Sequence, residues 1–422
     1  MTTKSILSRR EFIRRAAFAT GAIGAVPMVI THASARPVPS ERVAVGVIGI
    51  RGRGNFLLNS FMQHADVQVV AVCDVFKDRR LRAKERVDSH YGNQDCAVYI
   101  DMREMLARPD IDAVVVATGD NNHALCSLLA ARAGKDIFCE KPMSVTAAEG
   151  RAVTETVNRF GRIYQCGTQR RNVSNFVFAV ELARSGRLGQ IETMYAEKAW
   201  ADSGLHFEVY EPEPEPAYEE LAWDLWLGAA AWRPFNKRYT ERAGWRTHGD
   251  FSGGSIAEWG SHTVDICQWA IGADDTAPVR YEPINEMGDV EARYANGTRL
   301  VITKGLRFGT CPVRIEGTEG WVETGDSGQM ETYPASLAAE RRFPGGHSPE
   351  GHVREFLNSV KTRRQPRSMA ENAHHSMLAC HCANISVRLN RALDFDPINE
   401  EFPDNQEATR LLSRAYRDPW VL

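Results

Sequence analysis

Arg42-Val-Ala-Val-Gly-Val-Ile48, followed by Gly49-Ile50-Arg51-Gly52-Arg53-Gly54, is the stretch that decides the fold. The apolar run has the length and composition of a strand buried on both faces, and a helical pattern begins near Asn55 beyond the glycines. A second apolar run, Val67 to Cys73, ends in Asp74, twenty residues past Gly54. Strand, glycine turn, helix and a trailing carboxylate in this order predict a dinucleotide site. The helix N-terminus offers amide donors and a positive dipole end to a pyrophosphate, and the carboxylate accepts hydrogen bonds from ribose hydroxyls. Gly49, Ile50, Arg51, Gly52, Arg53, Gly54 and Asp74 are therefore expected to bind cofactor. The usual G-x-G-x-x-G pattern would place glycine at 51, where this chain has Arg51 and an extra glycine at 52. Asp74 repels a 2′-phosphate and favours NAD, while Lys77, Arg79 and Arg80 just beyond would admit NADP.

Working outward, the alternation continues: helix 78–90, a strand ending near Tyr99, helix 102–107, strand 113–118, helix 123–133 and strand 136–139. Repeated strand-helix units make a doubly wound parallel sheet whose ligands sit at the carboxyl ends of the strands. Thr118, Asp120, Asn122, His123, Glu140 and Lys141 fall there. From Gly161 the pattern changes to scattered helices and shorter strands, which predicts a mixed or antiparallel sheet. The fold expected is α/β plus α+β, an N-terminal Rossmann domain (36–160) followed by a substrate-binding and oligomerisation domain (161–395) and a packed tail (396–422). Alternating Glu and Pro at 211–216 exclude helix or inner strand and predict an exposed loop that would rim the cleft.

The 51 basic and 54 acidic residues leave a formal net charge of -3. No field of one sign argues for nucleic acid or an anionic membrane, so the partner expected is a small, weakly charged molecule. The nine cysteines are scattered through apolar runs, which predicts buried free thiols, and Cys380-His381-Cys382 lies in an apolar helical stretch where packing explains it without a metal. At the N-terminus, Ser8-Arg9-Arg10-Glu11-Phe12 precedes a modestly apolar stretch and Ala33-Ser34-Ala35. This predicts a twin-arginine signal over residues 1–35, export by the twin-arginine translocase to the periplasm, and no stable membrane anchor.

At Glu140-Lys141-Pro142, after the fifth strand, the sequence resembles the glucose-fructose oxidoreductase / inositol dehydrogenase / rhizopine-catabolism (Gfo/Idh/MocA) family. The resemblance extends through Gly167-Thr-Gln-Arg-Arg171, Trp223-Asp-Leu-Trp-Leu-Gly228, Trp245-Arg246, Glu258-Trp-Gly-Ser-His262 and the ending 414–420. It implies that Lys141 faces the nicotinamide and the reacting hydroxyl, that His262 takes the hydroxyl proton, and that Glu258 replaces the family's usual aspartate one helical turn earlier. An ammonium beside an alcohol stabilises developing alkoxide character, and imidazole titrates near neutrality. Lys141, Gln169, Arg170, Arg171, Tyr239, Trp245, Arg246, Glu258 and His262 are expected to bind a sugar or polyol, with Gln169, Glu140 and Lys141 also bordering the cofactor. The family implies a homodimer or homotetramer. A redox-neutral glycosidase or lyase acting through transient oxidation at sugar C3 is the alternative; the family's NAD-dependent glycosidases generally lack the lysine that this chain keeps.

Overall fold

The computed structural model describes residues 41–339, 341, 343 and 350–421; the expected export signal lies outside them. The first unit runs β1 (Val43–Ile48), α1 (Gly52–Met62), β2 (Val67–Cys73), α2 (Lys77–Tyr91), β3 (Ala97–Tyr99), α3 (Met102–Leu106), β4 (Ala113–Val116), α4 (Asp120–Arg132), β5 (Asp136–Cys139), α5 (Ala147–Arg159) and β6 (Tyr164–Cys166). Its six strands pair in parallel in the order β3-β2-β1-β4-β5-β6. The reversal between β1 and β4 opens a crevice at the carboxyl ends of the central strands, where ligands of such sheets bind. Val45, Val47, Val114 and Val115 are fully buried, as strands covered by helices on both faces require.

The sixth strand lies past residue 160. Helix α4 starts at Asp120, three residues before the His123 expected from apolar periodicity. Its first turn, Asp120-Asn121-Asn122, is polar because short acidic and amide side chains suit the unpaired amides and positive end of a helix N-terminus.

The second unit contains α6 (Ser174–Arg184), β7 (Ile191–Glu197), α7 (Trp223–Leu227), α8 (Lys237–Thr240), α9 (Arg242–Arg246) and α10 (Gly254–Ile271). It continues with β8 (Arg280–Pro283), β9 (Val290–Arg293), β10 (Arg299–Thr303), β11 (Val313–Gly317), β12 (Gly320–Thr324), β13 (Met330–Tyr333), α11 (Glu350–Thr362), α12 (Ala370–Leu389), β14 (Leu393–Asp394) and α13 (Gln406–Leu411). The eight strands form one mixed sheet, β13-β12-β11-β7-β10-β9-β8-β14, in which only β7 and β10 pair in parallel. Helices α6, α10 and α12 pack on it. A Cβ at Gly260 would come within 2.8 Å of Cys380 Sγ, so the glycine of Glu258-Trp-Gly-Ser-His262 is what lets α10 approach α12. Helix α11 returns to the first unit, where Phe356 meets Phe61 and Phe138 edge-on at ring separations of 6.0 and 5.7 Å.

All nine cysteines are buried and unpaired. Cys380 and Cys382 pack inside α12, and the His381 ring between them accepts from or donates to Ser144 Oγ at 3.2 Å. The Glu-Pro loop is mostly exposed, but residues 208–216 stay clear of the cavity described below, which corrects the expectation that they rim it. Tyr210 instead folds inward against Tyr239, ring to ring at 4.6 Å, and so ties the loop to an aromatic cluster.

Candidate active site

A cavity of about 650 Å³ lies between the two units, at the carboxyl ends of β1, β2, β4 and β5. Its nucleotide end is built by the turn after β1. Gly49 has φ +83°, the left-handed region that glycine enters without strain. A Cβ at Gly54 would sit 1.9 Å from the Gly49 carbonyl oxygen, so Gly54 serves the close approach of helix to strand and lies beneath the cavity wall. A Cβ at Gly52 would meet nothing within 4 Å; this glycine faces open space, where a bulky ligand can lie against the backbone.

Asp74 is buried at the end of β2 and lines the cavity. Its Oδ2 accepts from the Ile50 amide at 2.7 Å and its Oδ1 from the Phe76 amide at 2.9 Å. Burial raises its carboxyl above the ordinary range, against the opposing pull of Arg79 at 4.0 Å. Of the three neighbouring bases only Arg79 lines the cavity; Lys77 pairs with Glu220 at 2.5 Å and Arg80 reaches the Glu219 carbonyl at 2.5 Å. The open glycine, the α1 amide end and the buried acid fit a dinucleotide with an unphosphorylated ribose.

At the other end, Lys141 Nζ donates to the Glu258 backbone carbonyl at 3.0 Å and pairs with Glu258 Oε1 at 3.1 Å. Arg246 Nη2 pairs with the same carboxylate oxygen. Burial raises the Glu258 carboxyl, but Lys141 and Arg246 outweigh it and hold the group below its ordinary range, ionised. His262 stands one turn further along α10, 3% exposed, and lines the same cavity as Lys141. The expected meeting of ammonium and imidazole from different units therefore has its geometric condition: a shared cavity.

Lys141 is positioned from several sides. The Lys141–Pro142 bond is cis, and His123 Nδ1 lies 2.6 Å from the Pro142 carbonyl oxygen. Glu140, buried, accepts from the Lys141 amide at 3.1 Å and pairs with Arg53 of the nucleotide turn at 2.6 Å. Burial raises the Glu140 carboxyl, and Arg53 and Lys141 together more than reverse this. A Cβ at Gly167 would lie 2.7 Å from Glu140 Oε2, which accounts for the glycine of Gly167-Thr-Gln-Arg-Arg171. Asn122 Nδ2 donates to the Trp226 carbonyl at 2.9 Å, and Gly228 leaves room for that amide, since a Cβ there would fall 1.8 Å from Asn122 Oδ1.

The cavity brings together Gly49, Ile50, Arg51, Gly52, Arg53, Asp74, Thr118, Asn122, His123, Glu140, Lys141, Gln169, Arg170, Trp245, Arg246, Glu258 and His262. Two residues expected to bind substrate do not reach it. Arg171 is 1% exposed and makes two 2.8 Å contacts with Asp265 and one of 2.6 Å with Asp274, because a guanidinium taken out of water needs its charge and donors matched. Tyr239 is wholly buried among Trp223, Tyr210, His248 and Phe251, its hydroxyl oxygen accepting from the Tyr210 amide at 2.8 Å. Arg170 does line the cavity, with Nε 3.0 Å from Asp326 Oδ1. Leu225, Trp226, Thr310, Cys311 and Trp420 also line it and were missed. Trp226 and Trp420 stood in quoted motifs; Thr310 and Cys311, in the β10–β11 loop, carry no local signal.

A parallel crossover sheet with a nucleotide turn, a carboxylate after β2 and a buried lysine-carboxylate-imidazole set define a nicotinamide-dependent oxidoreductase with an NAD-binding Rossmann fold. Residues 43–168 match the model described as "Oxidoreductase family, NAD-binding Rossmann fold", and residues 207–422 the model described as "Oxidoreductase family, C-terminal alpha/beta domain". The chain belongs to the Gfo/Idh/MocA oxidoreductase family. It is 30% identical over 383 residues to a myo-inositol 2-dehydrogenase of Thermotoga maritima, covering 84% of this chain and 99% of that one. It is 30% identical over 205 residues to a glycosyl hydrolase family 109 protein of Saccharopolyspora erythraea, 44% of each chain. The solved aldose-aldose oxidoreductase of Caulobacter crescentus shares the fold at TM-score 0.60 and 18% identity, covering 84% of this chain and 100% of that one.

Proposed function

We propose that the chain is an exported dehydrogenase that transfers hydride between a secondary alcohol of a sugar or polyol and a tightly held NAD. The observation that carries this reading is the convergence of Lys141, Glu258 and His262 on the cavity that also holds the nucleotide turn. When bound, the nicotinamide supplies the hydride acceptor. Gly49 to Arg53 and Asp74 would hold the dinucleotide, with Thr118, Asn122, His123 and Gln169 bordering it. Lys141 holds the substrate oxygen and stabilises its developing negative charge, His262 takes the hydroxyl proton, and Glu258 fixes the lysine while Arg246 fixes Glu258. Gln169, Arg170, Trp245 and Arg246 supply donors and an aromatic face to the sugar. The similarity to the Thermotoga maritima enzyme supports a polyol, with myo-inositol the first substrate to try.

Arg9-Arg10 and Ala33-Ser34-Ala35 support export through the twin-arginine translocase and a mature chain starting near Arg36. N-terminal sequencing of the periplasmic protein checks this, and R9K/R10K should leave it in the cytoplasm. A periplasmic enzyme has no soluble pool of nicotinamide to exchange with, so the cofactor should survive dialysis and be reset in place. A homodimer or homotetramer is expected by light scattering.

The decisive experiment purifies the protein, records the reduced-nicotinamide absorbance, and follows it as sugars, polyols and glycosides are added. A rise with a polyol supports the dehydrogenase. The Saccharopolyspora erythraea relative supports a second reading, a redox-neutral glycosidase; release of an aglycone without net change in absorbance would favour it. An unchanged absorbance together with no release of an aglycone, whatever sugar or glycoside is added, would overturn both.

A further inference from the structure

Asp120 is a buried acid in the reaction cavity with no role in the scheme above. It opens α4, is 4% exposed and lines the cavity. Its Oδ2 accepts from Ser252 Oγ at 2.9 Å, and Ser252 Oγ in turn accepts from the amide of Gly254, the first residue of the helix that carries Glu258 and His262. No protein donor among the described residues bonds Oδ1. Sharing the cavity with it are Glu258 and His262 from α10, Lys141 from the turn after β5, Arg242 and Arg246 from α9, and His123 on its own helix.

We propose that Asp120 is a substrate-binding residue, its Oδ1 accepting a hydrogen bond from a hydroxyl of the sugar or polyol while Oδ2 stays on Ser252. The proposal rests on the dehydrogenase reading and adds a contact to it. Charge balance favours the ionised form as the binding form. Lys141 and Arg246 both pair with Glu258, so that cluster carries one positive charge in excess, which a second carboxylate neutralises. A buried carboxylate with one oxygen unbonded is stabilised by any hydroxyl that donates to it. Burial first, and Glu258 second, raise the Asp120 carboxyl to about 7, so the acid divides between its two forms at neutral pH. Two acids in one cavity thus have opposite tendencies, Glu258 held ionised and Asp120 raised towards neutrality.

The test measures kcat/KM against pH for myo-inositol, or for the sugar that best reduces the cofactor, in the wild-type protein, D120N and S252A. Wild-type kcat/KM should rise through an inflection near pH 7. D120N should displace that inflection and fall roughly 10- to 100-fold, the loss typical of one hydrogen bond to a charged group, chiefly through KM. Its NADH affinity, read by fluorescence, should stay within about threefold of wild type, because the amide keeps the size of the carboxylate and leaves the neighbouring Thr118, Asn122 and His123 in place. S252A removes a donor from the carboxylate and should move the inflection to higher pH. An inflection retained in D120N, with kcat/KM little changed, overturns the proposal. Should D120N not fold, an unmoved inflection in S252A does the same. If the wild-type protein oxidises no sugar or polyol, the dehydrogenase reading has failed, and Asp120 is judged by binding: sugar-induced changes in NADH fluorescence that persist unaltered in D120N overturn its role, and their loss supports it.

Discussion

Lys141 owes its position to residues far apart in sequence: Glu258 from α10, the Pro142 carbonyl held at His123, and Glu140 locked to Arg53. Removing its charge while keeping its length isolates the electrostatic part of its role. K141M should lower kcat by roughly 10²- to 10³-fold, the loss seen when one preorganised donor to a developing oxyanion is deleted. Its NADH dissociation constant should change little, and steady-state kinetics with a fluorescence titration check both. Lys141, Glu258 and His262 were singled out through the motifs that carry the family resemblance, and the structure brings the three to one cavity. Arg171 and Tyr239 stood in equally suggestive positions and are core residues. A residue type says what a side chain can bond, and only its surroundings say whether water, substrate or protein takes that bond. R171M makes the difference measurable: stranding Asp265 in the interior should destabilise the fold by about 3 to 5 kcal/mol, read from denaturant unfolding, while kcat of the surviving folded enzyme stays near wild type.

Among the elements, the β1-turn-α1 unit was the most legible, since apolar strand, glycines and trailing acid lie within about thirty residues and their spacing reflects local geometry. G54A should abolish cofactor retention and destabilise by roughly 1 to 3 kcal/mol, because a methyl 1.9 Å from the Gly49 carbonyl forces strand and helix apart. Dialysis followed by absorbance, and thermal unfolding, report the two effects. Helix α4 was placed three residues late because its first turn is polar, and that turn contains Asp120. The β10–β11 loop gave no warning that Thr310 and Cys311 reach the cavity, since its approach depends on how the eight-stranded sheet is oriented against the first unit.

For the whole molecule, acid should be the destabilising direction through the buried histidines. His352 is held near a pKa of about 4 and His381 near about 3, in both cases chiefly by burial, which disfavours the charged ring. A histidine depressed in the fold contributes stability that is complete above its unfolded value, about 6.5. That contribution is lost as pH falls through the folded values. Unfolding free energy should therefore decline between about pH 6.5 and 3, with H381L, by urea titration across that range, showing a shallower decline.

The sequence by itself determined the two-unit architecture and the nucleotide turn with its acid, because both are written in short-range spacing that backbone geometry enforces, whereas the lysine and histidine were reached through the motifs that carry the family resemblance. Tertiary structure alone decided which charged residues face the cavity and which neutralise one another in the interior. It also brought Asp120 beside Glu258, more than a hundred residues away. Burial and charge pairing depend on atoms that only folding brings together.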